Sequence, residues 1–307
     1  MPIYVVGARN QHVQIPNQAL AVSITGAVGG AALEVAGGPD QPVVQSSAHQ
    51  TLLPSLTGRV TIAVRPVGTD RFAKDSVIHL AIAHDNPGDV DPVQVMFDPV
   101  DVSGDTGVTF AELTPNGTQI EIAVSAVADT PLSALATAAR TSARKVTGRG
   151  PNEADGSVVI AFDTSASMKT WFANGSAGAA ADIVVGVADA VGIRNVSAIL
   201  VGSDITPVAA AGTAEVADAV RAAQPRWSAG ARWSRLRPMR TVVCADYPTT
   251  AVLQRFPVIV LSDDRRLDAV GARLPSPRAG SDAGAELLAH PQVLDRITAA
   301  LVRGLVQ

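Results

Sequence analysis

Apolar and polar residues follow two different patterns along the chain, and the change falls near residue 150. The earlier pattern consists of short, often alternating apolar runs, separated by turn-forming sequences such as Asn86-Pro87-Gly88 and Pro115-Asn116-Gly117. It predicts strands at 3–6, 11–15, 19–24, 60–64, 77–83, 93–97 and 119–124. Because strands that are apolar on one face bury that face against a second sheet, the pattern predicts a β-sandwich.

A helix and a polar segment follow these strands. Residues 132–146 carry an apolar stripe at helical spacing, formed by Leu132, Leu135, Ala136, Ala139, Ala143 and Val146. Residues 147–156 are polar and rich in residues that break helices and strands. We therefore assign 1–146 to a β-sandwich domain that ends in a helix, 147–156 to a linker and 157–307 to a second domain.

Strands and helices alternate in the second domain. Apolar runs predict strands at 158–162, 196–201, 241–245 and 258–261, and helical stripes predict helices at 179–191, 213–223 and 292–305. This alternation is typical of a mostly parallel, doubly wound sheet with helices on its faces. The predicted fold class is α/β plus all-β.

Composition and charge limit which kinds of protein this chain can be. The chain has 307 residues, of which 47% are hydrophobic and 17% charged, and its net charge is −4. An acidic globular chain is not expected to bind nucleic acid. This chain opens with no secretory signal and holds no apolar run of about 18 residues. We therefore expect a cytoplasmic protein without a membrane partner. The single cysteine, Cys244, excludes an intrachain disulfide and a cysteine-based zinc site.

An Asp-x-Ser-x-Ser sequence directly follows the predicted strand at 158–162. It places the carboxylate of Asp163 and the hydroxyls of Ser165 and Ser167 at alternate positions past a buried strand. Asp246 likewise follows the predicted strand at 241–245. Ligands bind at the carboxyl ends of parallel strands, and Mg²⁺ takes a few protein oxygens while leaving positions open. These residues are candidate Mg²⁺ or Mn²⁺ ligands.

The motif resembles the metal-ion-dependent adhesion site of von Willebrand factor A domains, and the resemblance covers residues 157–307. In that family a threonine of a second loop joins the Asp-x-Ser-x-Ser loop, and an aspartate after a later strand, here Asp246, completes the set. Ala231 stands where the threonine is expected, so Ser228 or Ser234 is a possible replacement. The resemblance implies a bound Mg²⁺ that takes a carboxylate from a partner protein.

The first domain faintly resembles the calcium-binding TerD-type domains of bacterial stress and tellurite-resistance proteins. A Ser-Gly-Asp turn within an acidic cluster carries this resemblance, which implies a calcium site at Asp98, Asp101 and Asp105. Solvated turn carboxylates are the alternative interpretation. The cluster also contains Asp85, Asp89 and Asp91.

The expected second loop of the metal site is rich in arginine and tryptophan. Arg226, Trp227, Arg232 and Trp233 form a candidate partner-binding surface, because arginine and tryptophan are typical binding anchors. An exposed loop whose long side chains cover apolar surface is the alternative.

Three functions remain open from the sequence. The first is a non-enzymatic, metal-dependent adaptor of a stress or tellurite-resistance-like system, which binds an acidic side chain of another protein. The second is a Mg²⁺-dependent phosphoryl-transfer enzyme, with Asp264 or Asp204 as nucleophile or base. The third is a degenerate domain without metal. No nucleophile elbow, phosphate loop or dinucleotide motif is present, which favours the first. The oligomeric state is not determined by the sequence.

Overall fold

The computed structural model describes residues 2–7, 11–86, 88, 92–126, 129–148, 156–236 and 240–306. The chain divides into two compact units, Met1–Thr130 and Pro131–Gln307, here called the N-terminal unit and the C-terminal unit. No helix among the described residues is long and apolar enough to cross a membrane.

The described part of the N-terminal unit is built from strands. They are β1 Ile3–Val6, β2 His12–Pro16, β3 Leu20–Gly26, β4 Ala31–Ala36, β5 Val44–Ser47, β6 Gln50–Leu53, β7 Val60–Pro66, β8 Val77–His84, β9 Gln94–Phe97, β10 Val100–Asp101, β11 Val108–Asn116 and β12 Gln119–Val124. One sheet has the order β1-β9-β8-β3-β6-β5, with β10 also paired to β8, and the other has the order β2-β12-β11-β7-β4. Only β1 and β9 pair in parallel among these strands.

Both sheets contribute to one apolar core. Alternate residues of β3 (Leu20, Val22) and of β7 (Ile62, Val64) point into it and are almost fully buried. Period-two alternation is the pattern from which the first domain was predicted, and two mostly antiparallel sheets around one core agree with that prediction.

The C-terminal unit contains a mostly parallel sheet and helices. Its strands are β13 Ser157–Asp163, β14 Asn195–Val201, β15 Ile205–Val208, β16 Thr241–Ala245, β17 Val258–Leu261 and β18 Ala272–Leu274. Its helices are α1 Ala134–Thr147, α2 Lys169–Ala173, α3 Ser176–Ala190, α4 Val216–Ala222, α5 Thr250–Leu253, α6 Ala283–Ala289 and α7 Pro291–Val306. The strand order is β15-β14-β13-β16-β17-β18, and only the edge strand β15 runs antiparallel to its neighbour.

The strand order creates a switch point beside β13. From β13 the chain builds β14 and β15 on one side and then returns to place β16 on the other side. Connections therefore leave the carboxyl ends of β13 and β16 in opposite directions, the arrangement at which ligands commonly bind in open α/β sheets. Both faces of the sheet are covered: Phe162 and Cys244 lie in the cluster formed with α1, α3 and α7, whereas Ala161 and Val243 lie in a second cluster with α5.

Helix α1 belongs to the C-terminal unit, and this corrects the predicted boundary at 147–156. Its buried residues Leu135, Ala136, Ala139 and Ala143 share a core cluster with α3 and α7. Ser133, the residue that caps α1, donates to Asp182 of α3 at 2.6 Å, and Ser142 donates to Asp295 of α7 at 2.5 Å. An apolar stripe shows that a helix face is buried but not against which element, so the helix was assigned to the wrong domain.

Candidate metal site

The two aspartates of the candidate metal site lie side by side at the switch point. Asp163 ends β13 and Asp246 directly follows β16, and these strands are parallel neighbours with Phe162 opposite Cys244. Both side chains are nearly buried, with 6% of Asp163 and 4% of Asp246 exposed. The sequence prediction that strand ends bring these carboxylates together is thus supported by the topology.

Hydrogen bonds shape the Asp-x-Ser-x-Ser loop. The Ser165 amide donates to Asp163 Oδ1 at 2.6 Å, and the hydroxyls of Ser165 and Ser167 lie 3.0 Å apart. A 3-10 turn, Ala166–Met168, follows, and the fully buried Met168 anchors it in the core. The loop therefore holds one carboxylate and two hydroxyls close together.

The carboxylates carry charge that the surrounding side chains do not neutralise. Burial raises the pKa of Asp163, and the negative charge of Asp246 raises it further, while hydrogen bonds from Ser165 partly oppose these effects. No lysine, arginine or histidine within the described ranges forms an ion pair with either aspartate. A buried charge without a partner is costly, and proteins commonly resolve this cost by binding a metal ion.

Ser228 is the second-loop residue that the structure brings to this loop. It forms a parallel bridge with Ser165, and its carbonyl accepts from the Ala166 amide at 3.0 Å. Its hydroxyl lies within hydrogen-bonding distance of two main-chain carbonyls, at 3.3 Å from that of Thr164 and at 3.0 Å from that of Gly230. These bonds tie the second loop to the end of β13.

The other two second-loop positions lie elsewhere. Ala231 packs against the apolar cluster that contains Val201 and Leu236, so the methyl group at the expected threonine position faces the core. Ser234 is exposed within the 3-10 turn Trp233–Arg235. The family pattern therefore pointed to Ala231, whose methyl group packs on apolar residues. The sequence does not show which residue of the second loop pairs with the Asp-x-Ser-x-Ser loop.

Gly202, directly after β14, permits the close approach of the two loops. A Cβ atom at this position would lie 2.5 Å from Thr164 Oγ1 and 3.0 Å from Ser228 Oγ. A side chain at this position would therefore require the Thr164 hydroxyl to rotate away or one loop to move. Gly202 was missed from the sequence, although a glycine immediately after a buried strand was a usable signal of close backbone approach.

The candidate partner-binding residues have mixed environments. Trp227 is 36% exposed and stacks edge-to-face on Phe172, with ring centroids 5.6 Å apart. Trp233 packs against the second apolar cluster, as the alternative interpretation expected. Arg226 and Arg232 are exposed. Arg237, a further arginine of this sequence segment, lies outside the described residues.

A polar groove adjoins the metal-site loop. It encloses about 500 Å³ between the β14–β15 turn and the segment before Trp227. Its lining includes Thr164, Ser203, Asp204, Thr206, Gln224 and Arg226. Thr164 stands between Asp163 and Ser165 in the chain, so the groove borders the loop that carries these two candidate ligands.

The predicted calcium ligands do not form a comparable group. Asp101 accepts from the Ser103 amide at 2.9 Å and Asp105 is buried, whereas Asp98 is half-buried. Within the described ranges, no three His, Cys, Asp or Glu side chains gather as a metal-binding set, either at these aspartates or around Asp163 and Asp246. Of the wider acidic cluster, Asp89 and Asp91 lie outside the described residues. The calcium site stays a prediction from resemblance.

The candidate catalytic groups have other roles. Asp264 caps the 3-10 turn Arg265–Ala269 by accepting from the Arg266 amide at 2.9 Å. Asp204 has a side chain that is 88% exposed and lies 3.7 Å from Arg235. Burial raises the pKa of the Cys244 thiol, so this cysteine is unreactive near neutral pH.

Comparisons with known proteins assign the chain to no family. No protein-family model, curated protein or solved structure matches the chain.

Proposed function

We propose that the C-terminal unit is a metal-dependent protein-binding module of the von Willebrand factor A type. Asp163, Ser165, Ser167 and Asp246 hold Mg²⁺ or Mn²⁺, and the ion takes a carboxylate of a partner protein at an open position. The observation that carries the proposal is the pair of nearly buried carboxylates at the switch point, which have no cationic partner among the described residues. A divalent cation supplies the missing charge.

The chemistry of the ligands favours a hard cation. Two carboxylates and two hydroxyls are oxygen donors, and Mg²⁺ commonly binds a few such groups while it keeps several waters. Exchange of one water for a carboxylate gives a directional, charge-assisted contact. Partner binding is then dependent on the metal.

The fold supports the same proposal. The motif lies at the carboxyl ends of adjacent parallel strands, where ligands bind in open α/β sheets. The phosphoryl-transfer alternative lacks such support, because Asp264 caps a turn and Asp204 is exposed and paired with Arg235. An adaptor role in a bacterial stress or tellurite-resistance-like system stays a prediction from the resemblance of the N-terminal unit.

Calorimetry with a minimal acidic ligand tests the proposal. A blocked peptide with a single aspartate among glycines is titrated into the full chain in Mg²⁺ and again in EDTA. We expect binding with a Kd on the order of 1 mM in Mg²⁺, corresponding to about −4 kcal/mol, and none in EDTA. Asp163→Asn removes the Mg²⁺-dependent binding, whereas Asp264→Asn, at an exposed turn, preserves it. Equal binding in EDTA contradicts the proposal.

A further inference from the structure

The polar groove beside Thr164 is bounded by a rigid wall and by hydrogen-bonding groups. Trp227 stacks on Phe172, which stacks on the core residue Phe162 with centroids 5.8 Å apart. Ser203, Thr206 and Gln224 offer hydroxyl and amide groups along the other sides. A volume of about 500 Å³ lies in the range of pockets that enclose ligands, about 300–1,000 Å³.

One segment beside the groove is rich in arginine although the chain is acidic. Segment 221–236 contains four arginines and no aspartate or glutamate. Arg221 pairs with Asp182 and Asp218, and Arg235 pairs with Asp204. Arg226 and Arg232 form no ion pair with another described residue, and Arg226 lines the groove. One guanidinium of the groove lining is therefore without an ion-pair partner among the described residues.

Asp204 is the acidic side chain in the groove lining. It is 88% exposed and its charge is offset by Arg235 at 3.7 Å, so it opposes an acidic ligand only weakly. With a divalent cation bound at Asp163 and Asp246, the loop after β13 would carry one positive centre, and Arg226 in the groove lining would supply a second.

We propose that the groove is a specificity site for an acidic peptide segment of the partner, in which Arg226 pairs with a second carboxylate while the metal takes the first. This inference rests on the proposed metal-dependent function. A guanidinium binds carboxylates in a bidentate manner, and the hydroxyl and amide groups of the groove suit a peptide main chain. Partners with one isolated acidic residue are then bound more weakly than partners with two.

Blocked glycine peptides serve as probes. One peptide carries a single aspartate, and three others carry a second aspartate two, three or four positions away. Their affinities for the full chain in Mg²⁺ are measured by calorimetry, with inorganic phosphate as a competitor. We expect at least one two-aspartate peptide to bind roughly tenfold more tightly than the single-aspartate peptide, the gain of one charge-assisted contact.

Two arginine variants locate the second contact. Arg226→Gln should abolish the tenfold preference and leave the affinity for Mg²⁺ unchanged. Arg303→Gln is the matched control, because it removes the same charge from an exposed position of α7. Its neighbour Gly304 approaches Pro257 at the amino end of β17, on the edge of the sheet opposite to the metal site. This variant should keep the preference.

The outcomes separate the two proposals. Mg²⁺-dependent binding of the single-aspartate peptide without any preference for two aspartates overturns the specificity site alone, as does a preference that survives Arg226→Gln. If inorganic phosphate displaces the peptides at a phosphate concentration below the peptide concentration, the groove is a phosphate site. This result also overturns the proposed specificity site. Absence of Mg²⁺-dependent binding by all four peptides overturns both the specificity site and the metal-dependent function.

Discussion

Asp163 and Asp246 are the residues on which the metal-binding account depends, and their charges oppose folding of the metal-free chain. Burial and the charge of Asp246 raise the pKa of Asp163 above its ordinary value. The native state therefore binds a proton more tightly than the unfolded state does. Stability from this group is largest at low pH and is lost as the pH rises through the raised pKa.

Replacing Asp163 by asparagine should stabilise the metal-free protein at neutral pH. The asparagine side-chain oxygen keeps an acceptor for the Ser165 amide, while the repulsion from Asp246 disappears. We expect the Tm in EDTA at pH 7 to rise by a few degrees, and the difference from wild type to shrink as the pH falls through the raised pKa. Scanning calorimetry over a pH series measures both.

The control for this variant is Asp204→Asn, which removes an exposed carboxylate from the same edge of the sheet. It should leave the Tm unchanged. A lower Tm for Asp163→Asn in EDTA would show that the carboxylate stabilises the loop rather than straining it. In the wild type, Mg²⁺ affinity should also fall as the pH falls through the raised pKa, because protons compete with the metal.

The sequence predicted the first loop better than the second. Asp163, Ser165 and Ser167 are close in the chain, so their spacing and the preceding apolar run were sufficient to predict that they share one loop at a strand end. The second loop depends on a bridge between Ser228 and Ser165, a contact distant in sequence. Ala231 was expected near the metal, but its methyl group packs against the core.

At the scale of elements, the site requires that the loops after β13 and β14 and the loop of Ser228 pack closely. Gly202→Ala tests this requirement, since its Cβ would lie 2.5 Å from Thr164 Oγ1. We expect a loss of roughly 1–3 kcal/mol in stability from overpacking, together with weaker Mg²⁺ binding as the loops move apart. Denaturant unfolding and metal titration measure the two effects.

Gly212→Ala is the matched control for Gly202→Ala. Gly212 has an extended backbone, and a Cβ there meets no atom within 4 Å. This variant should change neither stability nor Mg²⁺ affinity by a measurable amount. Unaltered Mg²⁺ affinity in Gly202→Ala would mean that Ser228 and Thr164 do not support the metal site.

In the C-terminal unit, the four inner strands of the sheet were predicted from the sequence, and the edge strands β15 and β18 were not. Strands β16 and β17 are continuous apolar runs with the predicted bounds, as expected for parallel strands buried on both faces. The edge strand β15 is mostly exposed and contains Pro207, which is unfavourable inside a strand. Helix α1 was predicted, but its partner was not, because its contacts with α3 and α7 are distant in sequence.

For the whole molecule, the division between Thr130 and Pro131 predicts which fragment folds. Residues 129–307 retain α1 and should give a soluble protein with a cooperative melt. Residues 157–307 lack α1 and expose the α3 face that approaches it at Gly186, whose hypothetical Cβ lies 2.1 Å from the Ala136 carbonyl oxygen. We expect a loss on the order of several kcal/mol for this fragment.

Expression of both fragments and thermal melting by circular dichroism measure this difference. The longer fragment should also retain the Mg²⁺ affinity of the full chain, because the described residues of the candidate site lie within the C-terminal unit. A shorter fragment that melts cooperatively at the same temperature would show that α1 is dispensable.

Binding of one divalent cation at Asp163 and Asp246 can be measured by Mn²⁺ titration followed by electron paramagnetic resonance. The signal of free Mn²⁺ reports how much metal remains unbound. We expect one bound Mn²⁺ per chain, displaced by Mg²⁺, lost in Asp163→Asn and in Asp246→Asn, and retained in Asp204→Asn. No bound Mn²⁺ in the wild type, or equal binding in both aspartate variants, would contradict this expectation.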